Sequence, residues 1–160
     1  EEIRPSKNLT IHSAATIVED FRDFINQGDY TFSYKMFFIL ALLDTVDSTG
    51  DAQVDKILDK YIAAYIERFD KQLVIDRNNC PYQNREYVLN KELMKRSMLE
   101  NPFEKFERKR FMYHAKDLSK ISIHHKIWDY LTTNSGLAWL RGKMYEDIDR
   151  YYNTLNENNV

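Results

Sequence analysis

A chain of 160 residues with 23 basic and 25 acidic side chains, a formal net charge of −2 and 43% hydrophobic residues has the size of one ordinary domain with its own core. Its longest apolar run, Met36 to Leu43, is eight residues, far short of the roughly 18 to 20 needed to span a bilayer, so no membrane contact is expected. Four Gly, three Pro and 14% aromatic residues exclude collagen-like, linker-like and disordered chains. The single Cys80 has no internal partner, and the N-terminus lacks a basic and then apolar leader. A reducing, cytoplasmic setting is expected. Opening on Glu1-Glu2 instead of Met points to a piece of a longer polypeptide.

Ser13 is placed to cap a first helix whose apolar residues Ala14, Ile17, Val18, Phe21, Phe24 and Ile25 share one face, and Gly28 closes it. From Thr31 to Val46 apolar residues point in all directions, which predicts a central helix wrapped by others. Asp47-Ser48-Thr49-Gly50-Asp51 has turn chemistry, with Gly50 suited to a positive φ and Asp51 to capping the next helix. That helix carries Val54, Ile57, Leu58, Tyr61, Ile62, Tyr65, Ile66 and Phe69 at helical spacing, and its aromatic stripe reads as core. Asp76-Arg77-Asn78-Asn79-Cys80-Pro81 reads as a surface loop, an insertion or a partner-facing segment.

Asn90 caps a helix through Leu99, and Pro102 is expected to interrupt it, with Asn101 capping a restart. Around Asp117-Leu118-Ser119, Phe111, Tyr113 and Ala115 alternate with Met112, His114 and Lys116, and Ile121 and Ile123 with Ser122 and His124, which predicts a β-hairpin. Helical spacing then returns, broken at Asn134-Ser135-Gly136. The expectation is one mainly α domain over 1–160: an N-terminal helical arm (1–30), a winged helix-turn-helix-like core with one β-hairpin (31–131) and a C-terminal helix (132–160). The first and last segments are additions to that core.

Charge is unevenly distributed along the chain. Asp44 to Asp70 holds seven acids against three bases, whereas Pro102 to Lys126 holds seven bases against three acids. Lys105, Arg108, Lys109 and Arg110 enter the hairpin and Lys116 and Lys120 flank its tip, where a wing meets phosphates. Asn90, Lys91, Lys95 and Arg96 on the preceding helix are placed to enter a groove. The plainer reading of such a hairpin is a solvated edge that charge protects from aggregation.

Other chemistry is incomplete. His124-His125-Lys126 has the His-x-Lys spacing of a phospholipase-D-type nucleophile, but Leu131 stands where that site needs an acid. Glu107-Arg108-Lys109 with Asp76 upstream resembles half of a restriction-type nuclease site that binds a hard divalent cation. The four His and one Cys lack zinc spacing, the two adjacent histidines being expected on opposite faces of a strand. Asp47, Asp51 and Asp55 lack the alternation of a calcium loop, and neither Ser33, Ser97 nor Cys80 has a visible base. No catalytic set, metal or cofactor is therefore expected.

Three strings, Phe32-Ser33-Tyr34-Lys35-Met36-Phe37-Phe38-Ile39-Leu40-Ala41-Leu42-Leu43-Asp44, Leu99-Glu100-Asn101-Pro102-Phe103-Glu104-Lys105-Phe106-Glu107, and the hairpin closing on Ile127-Trp128, resemble the C-terminal accessory region of bacterial DEAD/DEAH-box helicases of restriction and phage-defence type systems. The resemblance spans Phe32 to Leu131 and rests on core and capping strings. It implies a non-catalytic module following upstream helicase motors. No Walker lysine loop or Asp-Glu-Ala-Asp box occurs in this chain, so ATP hydrolysis is not implied. The expected function is nucleic-acid contact, DNA rather than RNA, through the basic hairpin and the helix before it. The alternatives are a protein-docking module without nucleic-acid binding and, more remotely, a metal-dependent nuclease using Asp76, Glu107 and Lys109.

Overall fold

The computed structural model describes residues 16–28 and 30–158. Ser13, Ala14 and His12 lie outside these. Helix α1 (Ile17–Asn26) buries Ile17, Phe21, Phe24 and Ile25 at the expected spacing. It is no detached arm: Phe21 and Phe24 meet Phe111 and Phe106 edge-on, with ring centroids 5.4 and 5.1 Å apart. Helix α2 (Tyr34–Thr45) is buried at every residue from Tyr34 to Leu43, as a helix without a polar face must be. Helix α3 (Val54–Asp70) packs along it and buries Tyr61 and Tyr65.

Between α2 and α3 the chain forms a short strand, β1 (Asp51–Gln53), which the sequence does not announce because three residues are too few to show an alternation. Asp51 is thus a strand residue opposite Ser122, not a helix cap. The first amide of α3, on Val54, donates instead to the carbonyl of Ser119 in the hairpin, 2.8 Å away. Asp47 organises the turn: its Oδ1 accepts from the amides of Thr49 and Asp51 and from the Thr49 hydroxyl. Gly50 has the expected left-handed backbone, φ +90, and a Cβ there would stand 2.9 Å from the Trp128 ring. Trp128 also donates its indole N–H to the Ser48 carbonyl at 3.1 Å, which pins the turn to the far end of the chain.

Helices α4 (Arg85–Leu89) and α5 (Lys91–Met98) are capped by Asn84 and Asn90, whose side chains accept from the amides of Glu86 and Leu93. Pro102 does not stop the chain. The helix widens into a π-helical turn (Leu99–Phe103) and continues as α6 (Glu104–Arg108), so Asn101 caps nothing. A proline ring clashes with the carbonyl four residues back and removes an amide, and a wider turn relieves both within one rod.

Strands β2 (Met112–Ala115) and β3 (Lys120–Ile123) form the predicted hairpin, closed by Ser119 in the left-handed region. With β1 they make a three-stranded antiparallel sheet of order β1-β3-β2. Met112 pairs with Ile123 and His114 with Ile121 on the core face. Tyr113 faces outward; Phe111 is buried, but before the strand, after a left-handed turn at Arg110. Helix α7 (His125–Thr133) follows, then α8 (Gly136–Asn158), which packs on α2. Among the described residues no helix is long and apolar enough to cross a membrane.

Gly50→Ala should destabilise the protein by about 2 kcal/mol through backbone strain and the Trp128 contact, whereas Gly142→Ala, in open space on α8, should stabilise it by about 0.5 kcal/mol. Urea denaturation followed by tryptophan fluorescence distinguishes the two.

Candidate nucleic-acid interface

Helix α5 presents its basic residues to the acidic helix beside it. Lys91 Nζ lies 3.1 Å from Asp59 Oδ1 and Lys95 Nζ 3.5 Å from Asp55 Oδ1. Both pairs are spaced four apart on both helices, so they form successive rungs between α3 and α5. Arg108 turns back to Glu104 at 2.8 Å, and its Nε is buried without a partner among the described residues. Three of the nine expected cations are thus matched with carboxylates. Arg96, Lys105, Lys109, Arg110, Lys116 and Lys120 form no ion pair among the described residues.

Those six do not converge on one finger. Lys105, on α6, and Lys109, just past its end, both set like charge on Lys35 of α2, as does Lys143 of α8. Lys35 is 9% exposed. Its ammonium donates to the Phe24 carbonyl at 2.7 Å, one of the free carbonyls at the end of α1, and lies 4.0 Å from the centre of the Phe24 ring. Lys109 Nζ is 5.2 Å from the centre of the same ring. Burial, then the charge of Lys105, then those of Lys109 and Lys143, push the Lys35 ammonium down to about 8, with Asp147 opposing.

The hairpin lysines diverge. Lys116 and Lys95 both bear on His114, whose imidazole is held below its ordinary range by burial first, against the opposing pull of Glu107. Lys120 instead joins Asp47, Asp51 and Lys56 around a shallow cavity on the other side of the hairpin. His124 is not a strand residue: it caps α7, its Nδ1 accepting from the Lys126 amide at 3.1 Å. His124 and His125 do not oppose each other but stack, with centroids 4.6 Å apart.

The loop around Asp76 is the largest departure from expectation. Arg77, Asn78 and Asn79 are exposed as expected, but the residues on either side plug the interior, with Ile75, Asp76, Cys80 and Tyr82 buried. Asp76 is 1% exposed. Its carboxylate accepts from the Ser33 amide at 2.9 Å, the Ser33 hydroxyl at 2.6 Å, the Arg77 amide at 2.8 Å and the Tyr151 hydroxyl. Both oxygens are engaged by this chain's own donors, so Asp76 is not available beside Glu107 and Lys109 as a metal ligand. Among the described residues no three His, Cys, Asp or Glu gather to hold a metal ion. Cys80 is similarly enclosed, its thiol pushed up to about 11 by burial.

Lys35 and Lys143 are members of the basic cluster that sequence reasoning missed. Their neighbours Lys105 and Lys109 sit on and just past a third helix, and no spacing along the chain links the three. A partial signal existed on α8, where Lys143, Asp147 and Arg150 follow at helical intervals and do pair, at 3.0 and 2.9 Å. Comparison of the chain with protein-family models, curated proteins and solved structures finds no match.

Asp76→Ala leaves buried donors on Ser33 and Tyr151 unmatched and should cost about 3 kcal/mol or more in urea denaturation, with Asp76→Asn intermediate. For Lys35 the folded value lies below the ordinary 10.5, so the fold carries the full penalty of a charged ammonium below pH 8 and sheds it as pH rises from 8 toward 10.5. The stability of the wild type relative to Lys35→Met should therefore rise by about 1 kcal/mol between pH 7 and pH 9. A constant difference between the two proteins would show that Lys35 is not desolvated.

Proposed function

We propose that this chain is a non-catalytic, winged-helix-like accessory module of a larger nucleic-acid-handling protein, as its resemblance to the accessory region of bacterial defence-type helicases implies. The element order supports the fold part of this reading: α2, β1, α3, α5 with α6, then β2 and β3, with strand order β1-β3-β2. In those terms α3 and α5 are the helix pair, the β2–β3 hairpin is the wing, and α1, α7 and α8 are additions.

Nucleic acid is contacted chiefly through Lys105 and Lys109, with Arg96, Arg110 and Lys116 as separate cations that form no ion pair among the described residues. One observation carries this: the ammoniums of Lys35 and Lys109 share one aromatic ring, 4.0 and 5.2 Å from the centre of Phe24, and Lys105 adds like charge to Lys35 with no ion pair of its own among the described residues. A phosphate backbone laid across Lys105 and Lys109 relieves that repulsion and releases counterions. Lys91, Lys95 and Arg108 contribute little, because their charge is already met by Asp59, Asp55 and Glu104.

The second reading, a docking module for upstream helicase domains or another protein, is favoured by those same rungs. Asp55 and Asp59 flank the helix that would enter a groove and repel phosphates there. Anisotropy of a labelled DNA duplex at low salt separates the two readings. Binding should weaken with salt at a logarithmic slope of about −2 to −4, as for a few phosphate contacts. The Lys105→Glu, Lys109→Glu double variant should lose about tenfold or more in affinity, and Lys91→Gln with Lys95→Gln less than about twofold. Absence of binding, or equal losses from both pairs, transfers the assignment to docking.

A further inference from the structure

A cleft of about 660 Å³ opens between the segment after α1, the loop following α3 and the second half of α8, a volume that suits a small ligand. Tyr30, Thr31, Arg77, Asn78, Arg150 and Thr154 line it. Neither arginine was singled out by the sequence, and neither belongs to the basic cluster on α6.

Both guanidiniums are held from behind. Arg150 donates to Asp147 Oδ1 at 2.9 Å and lies against Gly28, where a Cβ would stand 3.1 Å from its Nη2. Asp147 is fully buried and is met by Lys143 at 3.0 Å and by the Tyr30 hydroxyl as well. Among the described residues, two cations thus meet this one carboxylate, and Arg77 adds a third positive charge to the cleft. Arg77 donates through Nη2 to the Tyr30 carbonyl at 3.3 Å, and its guanidinium lies 5.9 Å from the centre of the Tyr151 ring. The second carboxylate nearby, Asp76, faces inward and is saturated by its own donors.

The result is a polar cleft with two arginine forks, threonine hydroxyls and an amide on its walls, the buried Asp147 carboxylate behind Arg150, and a half-buried tyrosine ring and Leu155 as apolar surface. We propose that this cleft binds a phosphate monoester, with Arg77 and Arg150 clamping the dianion and the remaining volume holding a nucleoside-sized group. Paired arginine forks match phosphate oxygens in a way that single lysines do not. The ligand is either a free nucleotide or the phosphorylated end of a strand. The site does not rest on the duplex-binding reading, because neither Arg77 nor Arg150 belongs to that surface.

Calorimetric titration of the whole chain with inorganic phosphate, adenosine 5′-monophosphate, adenosine, and a short single strand with and without a 5′-phosphate tests this. Saturable binding of phosphate and tighter binding of the monophosphate are expected, with none of adenosine. Arg77→Gln and Arg150→Gln should each weaken the monophosphate by about tenfold or more. Lys126→Gln, on α7, should leave it unchanged. A preference for the 5′-phosphorylated over the 5′-hydroxyl strand identifies a strand end; binding of the monophosphate alone identifies a free nucleotide. Should Arg150→Gln lower the melting temperature, the exposed Arg77→Gln carries the test. No saturation with phosphate or the monophosphate, or affinity unmoved in both arginine variants, overturns the proposal, whatever the outcome with duplex DNA.

Discussion

One buried carboxylate ties together the parts of this protein that lie furthest apart in sequence. Asp76 receives the amide and hydroxyl of Ser33 at the start of α2 and the hydroxyl of Tyr151 near the end of α8. Enclosing a carboxylate in an apolar interior is costly unless its lone pairs are met by donors, and here they are. The arrangement also sets negative charge at the N-terminus of the most deeply buried helix, where the peptide dipoles favour it. The polar thread continues inward: the Ser33 hydroxyl meets Tyr65 at 2.7 Å. Separately, Tyr82 bridges Tyr61 at 3.0 Å and Ser97 at 2.6 Å. Such a network fixes one path for the 71–84 segment, because any other path would strand several polar groups at once.

The same constraint shapes the surface. Arg77 follows Asp76 directly, and its amide donates to that carboxylate, so the guanidinium emerges from a fixed stem. Arg150 immediately precedes Tyr151, which Asp76 also holds. The walls of the arginine-lined cleft are therefore built on the interior knot, which is the kind of rigid support a binding site needs.

Charge is sorted by tertiary contact as much as by sequence. The acidic run on α3 reads as a solvated face, yet two of its aspartates lie against lysines of α5. Exposed pairs of this sort contribute little to stability, but they offset the charge of two of the basic residues of α5. Meanwhile Lys105 and Lys109, with no carboxylate opposite, lie near two further lysines from other helices.

What the sequence determined by itself is the set of elements with enough repeats to show a period: the all-round apolar α2, the striped α3, the asparagine cap of α5, the hairpin and the break before α8. Local spacing encodes burial there, because each residue's environment follows from its position on a helix or strand. Tertiary structure decided the rest. A three-residue β1 exists only because β3 lies beside it, and Pro102 sits inside a continuing helix because packing around the rod rewards continuity over a break. The polar-looking loop at Asp76 is interior because donors at residues 33 and 151 await it. The grouping of Lys35, Lys105, Lys109 and Lys143, like that of Arg77 and Arg150, follows from helices meeting in space, and electrostatic neighbours brought together by folding leave no interval along the chain by which to recognise them.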